Sequence, residues 1–160
     1  MMIRKITAAD FDFIFGMYMH PAINPYLLYE LMDAAAFKTI YNELLQKDIM
    51  YIFEADGKPV GMFKFIPQVH RNSHIAYLGS VAILPVIAGQ GYGKQMLREI
   101  IELGRRHGIL RIELSTATFN DRAIKLYEQT GFVKEGVMRK YTYLKSEKRY
   151  VDEYLMSYLY

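Results

Sequence analysis

The spacing of apolar residues in the first third of the chain predicts one strand and two amphipathic helices. Ile3–Ile6 alternates apolar and basic residues, which is typical of a short strand. Thr7 followed by Asp10 is a capping-box pattern at the start of a helix, and the His20-Pro21 pair ends that helix because the residue before proline disfavours helical backbone angles. The apolar positions at helical spacing are Phe11, Ile14, Phe15 and Tyr18 in the first helix and Phe37, Ile40, Tyr41, Leu44 and Leu45 in the second.

A hairpin and a long strand are predicted next. Asp56-Gly57 separates two apolar runs, Ile49–Ala55 and Val60–Ile66, and glycine accepts the positive φ that a tight hairpin turn needs. His74–Leu84 has the length and composition of a longer strand. Gly79 inside this strand predicts a bulge or a close approach of another backbone.

The second half of the chain predicts alternating helices and strands. A glycine-rich turn, Ala88–Gly93, precedes a helix with Met96, Leu97, Ile100 and Ile101 on one face and Gly108 at its end. The remaining predicted elements are a strand at Leu110–Thr116, a short helix capped by Asn120 and ended by Gly131, and strands at Phe132–Leu144 and Tyr150–Tyr160. The order β-α-α-β-β-β-α-β-α-β-β predicts a mixed α+β fold in which strands 74–84 and 110–116 are parallel.

The composition is that of an ordinary globular protein. Of the 160 residues, 52% are hydrophobic and 23% are charged, so extensive disorder and collagen-like or coiled-coil structure are excluded. The absence of cysteine excludes disulfide scaffolds, thiolate zinc sites and cysteine nucleophiles. No apolar run is long enough for a transmembrane helix or a secretory signal. We therefore predict one domain, residues 1–160, in a soluble cytoplasmic protein without a metal site.

Positive charge is concentrated near the C-terminus. The formal net charge of the chain is +3, whereas residues 134–149 alone carry six basic and two acidic side chains. A basic patch attracts phosphate groups or nucleic acid, but a run of charge more commonly keeps an exposed hairpin in solution. We favour the solvated hairpin, because the chain contains no recognised nucleic-acid-binding motif.

The glycine-rich turn is the clearest local indication of chemistry. Its backbone N–H groups, together with the partial positive charge of a helix N-terminus, form a cradle for phosphate. The turn is not a nucleotide-binding P-loop, because Gln95 follows Lys94 where Ser or Thr is required. It is not the dinucleotide fingerprint either, since Lys94 occupies the place of the third glycine. The alternative is that these glycines only form a tight turn.

The turn Ala88–Gly93 reads Ala-Gly-Gln-Gly-Tyr-Gly. It resembles the Arg/Gln-x-x-Gly-x-Gly/Ala signature of the GNAT N-acetyltransferase superfamily, which binds the pyrophosphate of acetyl-CoA. Gly91 and Gly93 match both glycine positions of this signature. Ala88 departs from it, so one side-chain donor to the pyrophosphate is missing while the backbone cradle remains.

Segments on both sides of the turn resemble the same family. Val81–Pro85 is similar to the family strand that precedes the signature and ends in proline. The family spacing Asn-x-x-Ala-x-x-Leu-Tyr-x-x-x-Gly-Phe occurs from Asn120 to Phe132. Gly136 and Tyr150–Glu153 resemble the tail of bacterial amino-acid and ribosomal-protein acetyltransferases. The resemblance covers essentially the whole chain and is most specific at residues 78–136.

The resemblance implies a GNAT-like fold, with a central, mostly antiparallel sheet of about seven strands, a parallel pair splayed for CoA, and helices on both faces. It implies acetyl-CoA as the cosubstrate and an amine as the acceptor. Backbone N–H groups near Gly79–Ile83 are expected to hold the acetyl carbonyl and stabilise the oxyanion. The residues expected to bind acetyl-CoA are Val81, Ala82, Ile83, Gly89, Gln90, Gly91, Tyr92, Gly93, Lys94 and Asn120.

The resemblance implies Tyr127 as the general acid that protonates the departing CoA thiolate. A phenol with a pKa of about 10 donates a proton without being ionised at neutral pH. From spacing alone, Tyr127 is also interpretable as a core aromatic beside Ala123 and Ile124. Asn120 is an N-cap on physical grounds, and in the family this residue also contacts the pantetheine arm or positions a water.

Glu113, on the polar face of its predicted strand, is the best candidate for the general base. An attacking amine is mostly protonated at neutral pH, so a carboxylate, often through water, must help to remove the proton. The alternative is that Glu113 is a solvated or ion-paired strand residue. Many family members carry glutamate on the preceding strand, at the position of Tyr77 here, and His70 and His74 are further candidates by residue type.

We predict an acetyl-CoA-dependent N-acetyltransferase that acts on the primary amine of a small molecule or of a peptide or protein N-terminus. The acceptor is expected to contact His20–Asp33 and Tyr141–Arg149, because such loops carry specificity on a rigid scaffold. The alternatives are a non-catalytic CoA-binding or sensing module of the same fold and a nucleic-acid-binding protein that uses the basic hairpin. No membrane partner is expected, and a homodimer is compatible with the sequence.

Overall fold

The computed structural model describes residues 2–160, which form seven strands and four α-helices in the predicted order. The strands are β1 (Met2–Lys5), β2 (Met50–Ala55), β3 (Lys58–Pro67), β4 (Ile75–Ile83), β5 (Arg111–Ala117), β6 (Val133–Leu144) and β7 (Arg149–Leu159). The helices are α1 (Phe11–Met19), α2 (Ala34–Lys47), α3 (Tyr92–Arg106) and α4 (Asp121–Gln129). Within the described residues, no helix is long and apolar enough to span a bilayer.

The strands form one sheet in the order β1-β2-β3-β4-β5-β7-β6. β4 and β5 run parallel, as the connection through α3 predicts. The pairs β1–β2, β2–β3, β5–β7 and β6–β7 are antiparallel. The predicted mixed α/β architecture, with a mostly antiparallel sheet and one parallel pair, is confirmed.

The chain divides into two compact units. The first unit runs to Phe65 and includes Ser80–Met96, and the second comprises Ile66–Gly79 and Leu97–Tyr160. Strands β3 and β4 and helix α3 each contribute residues to both units. The prediction that residues 1–160 act as one domain stays a prediction.

Aromatic rings fill the core of the first unit. Phe37 and Tyr41 of α2 are fully buried. The ring of Phe11 meets that of Tyr41 edge to face, with 5.2 Å between the ring centroids, and the centroids of Phe15 and Phe37 are 5.6 Å apart. These contacts join α1 to α2 and explain why the apolar residues of both helices recur at helical spacing.

The local turn signals of the first unit act where the sequence predicts them. Thr7 caps the first turn, since its Oγ1 accepts a hydrogen bond from the Ala9 N–H (3.3 Å) while Asp10 Oδ2 accepts one from the Thr7 N–H (2.7 Å). Asp56 and Gly57 have φ angles of +52° and +71°, as a tight hairpin turn between β2 and β3 requires.

The irregularity in β4 lies one residue beyond the glycine that predicted it. Ser80, rather than Gly79, adopts a positive φ, of +52°. This conformation is uncommon for residues other than glycine. The Ser80 hydroxyl accepts a hydrogen bond of 2.7 Å from the Tyr18 hydroxyl, so a contact from α1 fixes the distorted residue.

Candidate active site

The glycine-rich turn joins β4 to α3 through two left-handed glycines. Gly89 and Gly91 have φ angles of +84° and +90°, which side chains with a Cβ rarely adopt. The Gln95 N–H donates to the Gly91 carbonyl at 3.1 Å and closes the first helical turn. The backbone N–H groups of the first three residues of α3 therefore have no acceptor within the helix. Those residues are Tyr92, Gly93 and Lys94.

The space and the free N–H groups at this turn fit a ligand that carries phosphates. A Cβ placed on Gly91 would meet no atom within 4 Å, so the surface is open there. Gln95 Oε1 in the first turn of α3 is buried and, among the described residues, has no hydrogen-bond donor. Coenzyme A has phosphates for the free N–H groups. Ala88 presents no polar side-chain atom, and its N–H donates to Pro85.

The last part of β4 is partly exposed although the strand lies inside the sheet. Ser80 and the predicted acetyl-CoA contacts Val81, Ala82 and Ile83 all keep intermediate exposure. By contrast, Met62 and Phe63 of the neighbouring strand β3 are fully buried. A strand inside a sheet normally has both faces covered when helices pack against it. The exposed part of β4 is thus a surface on which a ligand can lie.

Tyr127 is positioned by the way α4 ends. Gly131 has a φ of +99°, the Phe132 N–H donates to the Tyr127 carbonyl at 3.0 Å, and the Gly131 N–H donates to the Glu128 carbonyl at 3.2 Å. These bonds form a Schellman motif, which brings the residue after the glycine back onto the last helical turn. The ring of Phe132 accordingly packs on that of Tyr127, with centroids 5.7 Å apart.

The environment of Tyr127 keeps its phenol protonated. Tyr127 is only 7% exposed, and burial raises its pKa above the ordinary value, with a further rise from nearby Tyr77. Its hydroxyl makes no hydrogen bond to another described residue. The hydroxyl proton is therefore present at neutral pH and available to a ligand. At the other end of α4, Asn120 Oδ1 accepts from the Ala123 N–H at 3.3 Å, so its predicted N-cap role is confirmed.

Tyr77 of β4 is the residue that the sequence resemblance places where the resembled family often carries glutamate. Its hydroxyl lies 3.2 Å from Ser115 Oγ, and it stands opposite Glu113 in the parallel ladder. Burial is the main cause that raises the pKa of Tyr77, and the carboxylates of Glu113 and Glu153 raise it further. At this position the chain thus presents a neutral phenol that two carboxylates influence, one on β5 and one on β7.

Glu113 is tied to a neighbouring arginine. Its Oε1 accepts from Arg111 Nε at 2.9 Å, and Arg111 also pairs with Glu135. The Glu113 side chain keeps 21% exposure. The ion pair foreseen as the structural alternative is present, while Glu113 Oε2 makes no hydrogen bond to a described residue. His70 and His74 are both exposed. Among residues 2–160 no group of three or more acidic or histidine side chains is arranged to hold a metal ion.

Several polar residues near these elements were not singled out from the sequence. Glu153 of β7 accepts a hydrogen bond from the Thr142 hydroxyl and is half-buried. In the first unit, Tyr29, Lys64 and Ser80 form a polar group within an apolar environment. The available signal was Lys64 itself, a lone lysine within the apolar run Val60–Ile66.

The basic hairpin between β6 and β7 uses several of its charges internally. Lys134 pairs with Glu128 at 3.7 Å, and its ammonium lies 4.4 Å from the ring centroid of Tyr154. Lys140 lies over the ring of Tyr150. These exposed contacts agree with a solvated hairpin rather than with a continuous surface for nucleic acid.

The comparison with known proteins gives the same family along most of the chain. Residues 4–132 match the Acetyltransferase (GNAT) family. L-amino acid N-acetyltransferase AaaT of Escherichia coli is 35% identical over 104 residues, 64% of this chain and 62% of that protein. N-alpha-acetyltransferase RimI of Mycobacterium tuberculosis is 28% identical over 100 residues, 62% of this chain and 61% of that protein.

The matched regions differ in extent. An uncharacterised N-acetyltransferase of Bacillus subtilis, YoaA, is 27% identical over 156 residues, 89% of this chain and 85% of that protein. In another uncharacterised N-acetyltransferase, YjgM of E. coli, the match spans only 49% of its length.

Solved structures share the fold. Spermidine N-acetyltransferase of Vibrio cholerae, in complex with CoA and spermine, superposes with a TM-score of 0.85 at 21% identity, over 99% of this chain and 94% of that chain. Ribosomal-protein-alanine N-acetyltransferase of Brucella melitensis gives 0.81 at 21% identity over the full length of both chains. Because the family match covers residues 4–132 and the fold is shared, the chain belongs to the GNAT family of acetyltransferases.

Proposed function

We propose that this acetyltransferase uses acetyl-CoA to acetylate the primary amine of a small molecule or of a peptide or protein N-terminus. The observation that carries the proposal is the open glycine turn at the start of α3, whose free N–H groups suit the pyrophosphate of CoA. Two relatives, an L-amino acid N-acetyltransferase and an N-alpha-acetyltransferase, support an amine acceptor by the activities they are named for.

Acetyl-CoA is proposed to bind along the end of β4 and the glycine turn. Gly89, Gln90, Gly91 and the first turn of α3 are proposed to receive the pyrophosphate, and the backbone of Val81–Ile83 is proposed to hold the acetyl end. Asn120 is proposed to contact the pantetheine arm in addition to capping α4.

The proposed reaction is a direct transfer with two proton movements. The amine nitrogen attacks the thioester carbonyl carbon, a C–N bond forms and the C–S bond breaks. Tyr127 gives its phenolic proton to the thiolate, consistent with its protonated state and free hydroxyl. Glu113 is proposed to take the proton of the amine through a water, using Oε2, which makes no hydrogen bond to a described residue. Glu153 is the second carboxylate that faces Tyr77 and is the alternative base.

Binding of acetyl-CoA is the first test. A ligand that binds only the folded protein stabilises it by about 2.7 kcal/mol at a hundredfold excess over its Kd, so acetyl-CoA should raise the Tm. Gly91→Val should abolish this shift because its side chain fills the open turn. Gly57→Val is the matched control, since Gly57 also has a positive φ and no atom within 4 Å of a built Cβ. Absence of a shift in the wild type at millimolar acetyl-CoA would refute the cosubstrate.

Turnover separates an enzyme from a CoA-binding module of the same fold. Release of CoA thiol with a panel of amines should be observed for the wild type, and Tyr127→Phe should lower kcat about 100-fold without changing acetyl-CoA affinity. Glu113→Gln and Glu153→Gln identify the base, because loss of the base matters most at neutral pH and less where the amine is already unprotonated. Full kcat in Tyr127→Phe, with chemistry rate-limiting, would make Tyr127 a packing residue.

A cytoplasmic location and a homodimer are further parts of the proposal. Acetyl-CoA must be supplied where the enzyme works, which favours the cytoplasm. Cell fractionation tests the location, and light scattering of the purified protein tests the oligomeric state.

A further inference from the structure

Lys64 of β3 is a cation buried among aromatic rings in the first unit. The residue is 7% exposed. Its Nζ donates a hydrogen bond of 2.7 Å to the hydroxyl of Tyr29. The same atom lies 4.6 Å from the ring centroid of Tyr29 and 6.0 Å from that of Tyr18. Lys64 thus uses one of its three N–H donors in a hydrogen bond and the faces of two rings for partial compensation of its charge.

No carboxylate neutralises this lysine. Within residues 2–160, Lys64 takes part in no ion pair. Burial, together with repulsion from the exposed Lys47 of α2, lowers its pKa to about 8. Glu43 is a carboxylate that acts on the neighbouring Tyr29: burial raises the pKa of Tyr29, and the charge of Glu43 raises it further. Because buried charges are normally paired, an unpaired ammonium here indicates a function other than holding the fold.

Ser80 provides a second donor beside the same ring of Tyr18. Its Oγ accepts a 2.7 Å hydrogen bond from the Tyr18 hydroxyl, so the proton of Ser80 is free to point to a ligand. Ser80 keeps intermediate exposure and directly precedes Val81–Ile83, the backbone proposed to hold the acetyl group. The free donors of Lys64 and Ser80 therefore both lie beside Tyr18, and Ser80 adjoins the backbone proposed to hold the acetyl group.

Tyr29 is held over Lys64 by a well-defined link to α1. The side-chain amide of Asn24 donates to the carbonyl oxygens of Tyr18 and Tyr29, both at 2.9 Å. The rings of Tyr18 and Tyr29 meet edge to face at 5.0 Å between centroids. Tyr29 remains partly exposed, so the residue that covers the ammonium of Lys64 is itself in contact with solvent.

We propose that Lys64, with the hydroxyls of Tyr29 and Ser80, binds a carboxylate of the acceptor, so that the acceptor is an amine that also carries a carboxylate, as a free amino acid does. This inference rests on the proposed function. A polyamine is disfavoured at this position, because a second cation would be brought beside an uncompensated one.

Matched acids and amides test the inference through turnover. CoA thiol release is measured with L-amino acids, their amides and spermidine. The wild type should prefer each acid over its amide, and Lys64→Met should lower kcat/KM for the acids about 10- to 100-fold, mainly through KM, because a charge-assisted hydrogen bond is lost. The kcat/KM for the amides and the Kd of acetyl-CoA should be unaffected. Lys58→Met, which removes an exposed cation of the same strand, is the matched control and should keep the preference.

A direct titration of Lys64 makes the test independent of turnover. The side-chain signals of lysine, with that of Lys64 identified by its loss in Lys64→Met, are followed by NMR against pH with acetate or with chloride at equal ionic strength. Acetate should raise the pKa of Lys64 while chloride does not, because a bound carboxylate stabilises the ammonium. Tyr29→Phe should weaken the acetate effect while keeping the charge.

The outcomes separate this inference from the proposed function. Acetyl transfer to amides or polyamines in preference to acids, or an equal effect of Lys64→Met on acids and amides, would overturn the inference and leave the acetyltransferase intact. An identical response of Lys64 to acetate and chloride would overturn it even without turnover. Failure of acetyl-CoA to bind would instead remove the proposed function, while the acetate titration would still report on Lys64.

Discussion

Arg4 and Lys64 are cationic side chains of the same compact unit, but their surroundings are opposite. Arg4 donates to Asp10 through two nitrogens, each at 2.9 Å, and to Glu54 at 2.6 Å, although its side chain is still 32% exposed. Lys64 is more deeply buried and has two phenol rings and no carboxylate. The more accessible cation therefore has two counter-ions, and the less accessible one has none.

The difference separates a structural cation from one that is held ready for a ligand. Arg4 satisfies two nearly buried carboxylates and lowers the pKa of Asp10, so its site is complete within the protein. The Lys64 site is complete only when an anion joins it. A buried charge with counter-ions, such as Arg4, supports folding. A buried charge without them, such as Lys64, lowers stability and is retained for a function.

The largest effect on stability is expected when Arg4 is removed from its two carboxylates. Arg4→Met leaves Asp10 and Glu54, at 7% and 8% exposure, without their cation, and should lower the free energy of unfolding by about 3 kcal/mol. Urea unfolding measures it. Lys5→Met, which removes an exposed cation paired with Asp48, should cost no more than about 1 kcal/mol. Equal losses in the two variants would mean that Arg4 is an ordinary surface residue.

Removal of Lys64 is expected to change the free energy of unfolding in the opposite direction. Lys64→Met keeps the length of the side chain and removes an uncompensated charge, so the free energy of unfolding should rise by about 2 kcal/mol. The same urea experiment checks this, with the exposed Lys58→Met expected to change little. A marked loss of stability would show that the contact with Tyr29 holds the fold, and the contrast with Arg4 would disappear.

The pH dependence should distinguish the two sites next. The pKa of Lys64 is lowered in the folded state, so the cost of its charge is present in full below about pH 8 and is relieved as the pH rises toward 10.5. The stability difference between Lys64→Met and wild type should therefore shrink over that range. The pKa of Asp10 is lowered too, so its contribution is present above pH 3.8 and is lost as the pH falls. An unchanged difference between pH 8 and 10.5 would contradict the assignment for Lys64.

The smallest effect is expected from a cation added at the open turn. Ala88→Arg supplies the side chain that the family usually carries there, and it should tighten acetyl-CoA about tenfold through a charge-assisted bond to phosphate. Equilibrium titration at two salt concentrations measures this, with Ala88→Met as the uncharged control. Unchanged affinity would indicate that another basic residue, such as Lys94, already serves the pyrophosphate.

The parts of the fold that depend on local chemistry could be predicted from the sequence. The Thr7–Asp10 cap, the Asp56-Gly57 turn and the Asn120 cap each involve residues within a few positions of one another. The glycine turn was found for the same reason, because positive φ and free N–H groups are properties of a short segment.

The parts that depend on distant contacts could not be predicted. Ser80 takes the positive φ because Tyr18, 62 positions earlier, bonds its hydroxyl, whereas sequence alone pointed to Gly79. Lys64 is buried because Tyr29 covers it from an irregular segment with no periodic pattern. The pairing of Glu113 with Arg111 was foreseen only as an alternative, since two neighbours on one strand face can also both be solvated.

The glycine-ended helices carry a consequence for how this protein can change over evolutionary time. α3 and α4 each end in a Schellman motif, with Gly108 and Gly131, and the next strand begins within three residues of each glycine, at Arg111 and Val133. An inserted residue at either junction would rotate the following strand by one face. Length variation and new substrate preferences should therefore accumulate in segments 20–33 and 145–148, because these loops can change length without shifting the register of a strand.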